Sequence, residues 1–205
     1  MVPVNPDLLL REAAVALAAV AAVLLLALAH DAPLGPPANP GLSPNPTKAP
    51  WYFAGIQELL MHFHPSFALG VAAALMFGAF YLPFLNYRET PAGVWFASAN
   101  GRRTALVAAL AAAVATPVAI VLDEYAVDFS GMLPGWPQAF SLGVVPTALC
   151  VAVVAGVYVL MKRKFQASRL ESVQAVFVFL AVGWLISTVT CALFRGQGMR
   201  LRWPF

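Results

Sequence analysis

The chain has 205 residues, 61% of them hydrophobic and only 10% charged, with a mean hydropathy of +0.79. So few charges cannot cover a water-facing surface, which excludes a soluble domain and predicts an integral membrane protein. The formal net charge of +3 is too small to point to nucleic acid, and membrane topology explains it better.

Five apolar stretches are long enough to cross a bilayer: about 8–30, 67–86, 103–122, 139–161 and 173–194. Each is near the roughly 20 residues that a hydrocarbon core about 30 Å thick requires. Backbone amides in lipid must be satisfied within the segment, so all five are predicted helices and the chain is an all-α, polytopic bundle forming a single membrane domain, 1–205. In the first stretch Arg11 precedes a long apolar run without a convincing cleavage site, so the segment is expected to stay as a span. Prolines at 33, 36 and 37 end it.

The next stretch, Asn39 to Pro65, starts as a loop fixed by Pro40, Pro44, Pro46 and Pro50. From Trp51 the pattern becomes helical. Trp51, Gly55, Glu58 and His62 fall on one side, while Tyr52, Ile56, Leu59, Leu60 and Phe63 form an apolar stripe. A short amphipathic helix lying along the membrane face is therefore expected. Kinks are expected at Thr116-Pro117 in the third span and Val145-Pro146 in the fourth. The loop Asp123–Gln138 reads as a solvated acidic cap with aromatic anchors, with docking of a partner as the other reading. The basic, aromatic tail Arg195–Phe205 reads as an interfacial anchor or a partner contact.

Lys and Arg counts set the expected orientation. An N-terminus in the cytoplasm gives that side Arg11, Arg88, Arg102, Arg103, Lys162, Arg163, Lys164 and Arg169, against Lys48, Arg195, Arg200 and Arg202 outside. The predicted topology is N-terminus in, Asn39–Pro65 out and C-terminus out.

The Asn39–Phe53 stretch resembles the loop carrying the PEWY motif in the C-terminal half of cytochrome b and in subunit IV of cytochrome b6f complexes. That family pattern has Asn-Pro, a proline four residues further on, then Pro-Glu-Trp-Tyr-Phe. Asn39, Pro40, Pro44, Trp51, Tyr52 and Phe53 match it without a gap, and Leu82-Pro83-Phe84-Leu85 is also similar to the family. Ala49 stands where the motif has its proline and Pro50 where it has its glutamate. The resemblance covers roughly residues 8–122; residues 123–205, with two additional spans and the tail, align with no motif of the family. It implies a haem-free membrane subunit of a quinol oxidoreductase, contributing the outer quinone-site loop of a split cytochrome b in a respiratory or other energy-transducing (inner) membrane. It implies a quinone as cofactor, bound by Pro50, Trp51, Tyr52 and Phe53. The implied partners are an N-terminal cytochrome b-like subunit holding the b haems, with iron–sulfur and c-type cytochrome subunits.

The titratable residues add a further expectation. His30, His62 and His64 all lie at predicted span boundaries, so no transmembrane haem held by this chain alone and no metal site is expected. Cys150 and Cys191, in predicted spans, read as packing residues. Quinol oxidation releases protons and needs an acceptor, a role the family gives to its motif glutamate. With Pro50 in that place, Glu58 with His62 is the candidate catalytic pair, and a carboxylate beside aromatic rings is expected to have a raised pKa. On that reading Glu58→Gln slows quinol oxidation at least a hundredfold without harming assembly. The bland alternative is an i, i+4 pair on a solvated face. Two other classes stay open: a purely structural anchor with a degenerate quinone site, and a five-helix di-haem anchor resembling the nitrate-reductase gamma subunit, which the histidine positions oppose.

Overall fold

The computed structural model describes residues 9–29, 41, 47–84 and 95–202. Asn39, Pro40, Pro44 and Pro46, Leu85, Arg88 and the aromatic end of the tail lie outside them. The described residues are helical, apart from connecting loops and one isolated antiparallel bridge between Arg195 and Leu201. The chain divides into two compact units, 1–44 and 45–205.

The first unit contains α1, Leu9–Ala29, whose Ala, Leu and Val side chains suit both helix and lipid. The second holds α2 (Trp51–His62), α3 (Pro65–Tyr81, followed by a 3-10 turn Leu82–Phe84), α4 (Ala99–Tyr125), α5 (Phe129–Met132), α6 (Val145–Lys164) and α7 (Arg169–Val189). A π-helical turn, Phe140–Val144, leads into α6, and another, Thr190–Phe194, continues α7. Four helices are long and apolar enough to cross a membrane: α1, α4, α6 with its π turn (25 residues) and α7 with its π turn (26 residues). The second predicted span is a helix too, but α3 has 17 residues. At about 1.5 Å per residue it extends roughly 25 Å, short of a full hydrocarbon core.

α4 and α7 lie side by side and run parallel. Near their starts Ser98 N donates to Glu171 Oε1 at 2.9 Å, a Cβ on Gly183 would meet Thr116 Oγ1 at 3.2 Å midway, and near their ends Arg195 Nη1 donates to Glu124 Oε2 at 2.6 Å. The α4 face in contact is small: Gly101, Thr104, Ala108 and Ala112 are buried at helical spacing. Without a hydrophobic drive between helices in lipid, such small residues let backbones approach and dispersion forces act. α6 returns antiparallel, with Met161 packed on Ala108 and Ala175.

Helix ends are specified locally. Ser98 caps α4 by accepting from Gly101 N at 2.9 Å. Ser168 and Glu171 form a capping box on α7, and Glu171 also accepts from Ser98 N, so one carboxylate serves the N-termini of both parallel helices. Pro117 sits inside α4 as expected, and Pro146 follows on the π-helical turn inside the continuous helix Phe140–Lys164, where its missing N–H removes one helical hydrogen bond. That missing donor leaves the Leu142 carbonyl, four residues back, free to accept from His64 N at 2.8 Å. The proline thus ties the start of α3 to the start of α6.

A buried ion cluster under an aromatic helix

The residues 47–64, the end of α4 and the segment after α7 meet at one end of the second unit. α2 forms at the predicted residues, and the side that carries Gly55 and Glu58 is buried in the protein rather than solvated. Its buried residues are Ala54, Gly55 and Glu58, while Trp51, Tyr52 and Phe53 are 74%, 61% and 53% exposed and Leu60 and Met61 are exposed as well. Gly55 is required by packing: a Cβ there would meet Thr188 Oγ1 at 2.7 Å and the Trp184 ring at 2.9 Å. Helix α2 therefore rests the side of Ala54, Gly55 and Glu58 on the protein, while the rings of its first turn stay exposed.

Glu58 is neither on a solvated face nor beside the aromatic cluster. Its carboxylate is 1% exposed and accepts from Arg195 Nη2 at 2.7 Å and Nε at 3.0 Å, a side-on fork geometry, while His62 Nε2 lies 3.1 Å away. Arg195 is itself fully buried, and its Nη1 donates to Glu124 at 2.6 Å and to Met199 O at 2.9 Å. His62 Nδ1 lies 2.6 Å from Asp123 Oδ2. Three carboxylates, one guanidinium and one imidazole thus join α2, the last turn of α4 and the C-terminal segment.

Burial pushes the Glu58 carboxyl upward, yet the hydrogen bonds and charges of His62 and Arg195 outweigh it and hold the group below its ordinary value. This reverses the raised pKa expected from the sequence. Burial likewise pushes His62 down, but bonds to Asp123 and Glu58 and their charges raise it to about 9, so the ring is protonated at neutral pH. An ionised Glu58 shut away from solvent and held by a guanidinium is a poor proton acceptor and touches no open surface where a substrate could reach it.

The loop before α2 is fixed by residues the sequence reading passed over. Gln57 accepts from Ala49 N at 2.6 Å and donates to Thr47 O at 2.7 Å, folding residues 47–50 back over the helix. Lys48 Nζ donates to Ala192 O in the π-helical turn and to Arg195 O at 3.1 Å, satisfying carbonyls at the end of α7. Pro50 begins the helix, its carbonyl accepting from Phe53 N at 2.9 Å. From there the rings form a contiguous cluster, with Trp51 edge-on to Tyr52 at 5.8 Å and Tyr52 5.0 Å from Phe53. Of the predicted site residues, Pro50, Trp51, Tyr52 and Phe53 stand together on the exposed side, and Glu58 and His62 together on the buried one.

One loop expectation changes here. Asp123 and Glu124 are ion partners of His62 and Arg195 rather than a solvated cap. The tail up to residue 202 turns back on itself, with Gly196 N bonded to Arg200 O at 3.0 Å and Arg202 N to Phe194 O at 2.8 Å, which tucks Met199 against Ala54 and Cys191. The reversal passes through Gly198 at φ +70°, a left-handed conformation that glycine adopts without strain.

Beside α2 an apolar groove of about 510 Å³ runs between α3 and α7, lined by residues including Ile56, Leu75, Leu82, Phe177 and Trp184. Its walls carry no charged side chain. Among the described residues no group of three or more His, Cys, Asp or Glu is placed to hold a metal.

Compared with protein-family models, with curated proteins and with solved structures, the chain matches none.

Proposed function

We propose that the chain is a haem-free, multi-pass membrane subunit of a quinol or quinone oxidoreductase complex, in which α2 presents Trp51, Tyr52 and Phe53 to a quinone site completed by a partner subunit. The observation that carries the reading is the division of labour along α2: Gly55 packing and the Arg195–Glu58 pair hold its middle against the protein, and its first turn presents three adjoining, exposed aromatic rings. Aromatic faces stack on a quinone ring, and Tyr52 adds a hydroxyl within the cluster. The neighbouring apolar groove, within the 300–1,000 Å³ typical of ligand sites, suits a hydrocarbon tail. The match of Asn39–Phe53 to the PEWY loop supports the same reading.

In this proposal α3 with the 3-10 turn Leu82–Phe84 forms a fifth span, α2 lies along the outer face, the N-terminus is inside and the C-terminus outside. The fold agrees in one respect that orientation alone does not decide: 47–64, 123–138 and 195–202 gather at one end of the second unit, and the basic starts of α4 and α7 at the other. In a background lacking native cysteines, an impermeant thiol reagent should label Thr47→Cys and not Gln166→Cys in intact cells. The opposite pattern would overturn the orientation.

The b haems belong to a partner, and Glu58 with His62 positions α2 rather than contacting the ring. A second reading, a structural anchor beside a site built by other subunits, draws on the complete engagement of Glu58. Subunit and haem content of the complex purified through a tag on this chain tests the proposal. A b-haem subunit should co-purify while the chain expressed alone shows no b-haem band; a stoichiometric haem in the single subunit, or a complex without redox partners, would reject it.

A further inference from the structure

The end of the second unit opposite α2 has a different electrostatic character, and nothing in the proposed quinone site uses it. Three helix ends meet there: the starts of the parallel helices α4 and α7, joined by the Ser98–Glu171 hydrogen bond at 2.9 Å, and the end of α6, joined to α7 by a short turn. They bring together Arg102, Arg103, Lys162, Arg163, Lys164 and Arg169, all exposed. Among the described residues none of these six forms an ion pair; the Lys162 ammonium lies 6.0 Å over the Tyr158 ring. The one described acid at that end, Glu171, is 6% exposed and is consumed by the backbone N–H groups of Ser98 and Ser168. The positive ends of two parallel helix dipoles point the same way.

We propose that this end is a docking surface for the phosphate headgroups of anionic phospholipids in the adjacent leaflet. Charge complementarity decides the occupant: six cations with no ion-pair partner among the described residues, at the ends of apolar helices, face the headgroup layer, where an anionic lipid supplies both the phosphate and the acyl chains for the neighbouring apolar faces. Like charges crowded at Arg102-Arg103 and Lys162-Arg163-Lys164 repel one another, and phosphate binding relieves that repulsion without displacing any internal bond. Arg can meet a phosphate through paired N–H donors, and Lys as a point charge.

The test uses the full chain, purified in a neutral detergent and offered equal amounts of phosphatidylglycerol and phosphatidylcholine, with retained lipid counted by native mass spectrometry. Phosphatidylglycerol should be retained at least about tenfold in excess. The preference should fall roughly fivefold for each cation removed and shrink at high salt. The variant Arg102→Gln/Arg103→Gln/Lys162→Gln/Lys164→Gln should lose it, whereas Arg200→Gln/Arg202→Gln at the other end keeps it. Should the fourfold variant fail to fold, the salt titration of the unaltered chain decides alone. Equal retention of the two lipids, an equal loss in the Arg200/Arg202 variant, or a preference insensitive to salt would overturn the proposal. Inorganic phosphate that competes at millimolar concentration as well as phosphatidylglycerol would likewise replace the lipid source by a soluble anion.

Discussion

Arg195→Gln destabilises the second unit by about 3–5 kcal/mol, the cost typical of removing one partner from a buried ion pair. Arg195 is fully buried and satisfies the Glu58 carboxylate, Glu124 and the Met199 carbonyl at once. Without it Glu58 remains enclosed with His62 alone, α2 loses its ionic tie to the C-terminal segment, and the Met199 carbonyl in the turn after α7 loses its side-chain donor. A drop in apparent melting temperature on the order of 10 °C in detergent is expected for a chain of this size. Arg195→Lys retains the charge but not the fork, so it should fall between the two. Glu58→Gln should cost less, since Arg195 keeps Glu124 and Met199 O, and its effect belongs to stability rather than to a proton-transfer rate. The double change Arg195→Met/Glu58→Leu should recover part of the loss, because the fully enclosed carboxylate goes with its partner, while Glu124 is left partly exposed and His62 keeps Asp123. A shift under 2 °C for Arg195→Gln would show that the cluster does not hold α2.

The same cluster makes stability depend on pH in a direction that can be worked out. The folded pKa of His62, about 9, lies above its ordinary 6.5. Its contribution is therefore fully present below about pH 6.5 and is lost as pH rises through 9, a change of about 3 kcal/mol. Glu58 is depressed below 4.5, so its contribution is present above that value and is lost as pH falls through its folded pKa. Stability should be greatest near pH 5–6.5. Melting curves from pH 5 to 9.5 should show a decline on the alkaline side that His62→Gln flattens. A melting temperature that rises between pH 6.5 and 9 would contradict the ion-paired imidazole.

The membrane class, the helical architecture and four membrane-length helices were legible because apolar run length is a direct physical signal. The register of α2 was legible only in part. Periodicity grouped Gly55, Glu58 and His62 on one face of a helix expected along the membrane, but it did not show that this face is buried in the protein, which follows from the smallness of Gly55 and the pairing of Glu58. Arg195, Asp123 and Glu124 were missed for a related reason: each was read within its own loop. All three adjoin the ends of spans that the Lys/Arg count places on the same side as α2, and pairing opposite charges among same-side segment ends would have proposed the cluster. Pro146 shows the limit of local rules, since its consequence, a carbonyl freed for His64, depends on which loop lies beside it.

The central claim, that the exposed rings of α2 form part of a quinone site, is tested most directly by steady-state quinol oxidation in membranes containing the assembled complex, with Trp51→Ala, Tyr52→Ala and the double variant. Removing a ring stacked on a ligand costs about 1 kcal/mol or more, so each single change should raise the KM for quinol several-fold and the double change more, with the complex assembled and its stability unaltered because these side chains face outward. An unchanged KM and kcat in all three would contradict the claim and leave the chain as a structural anchor.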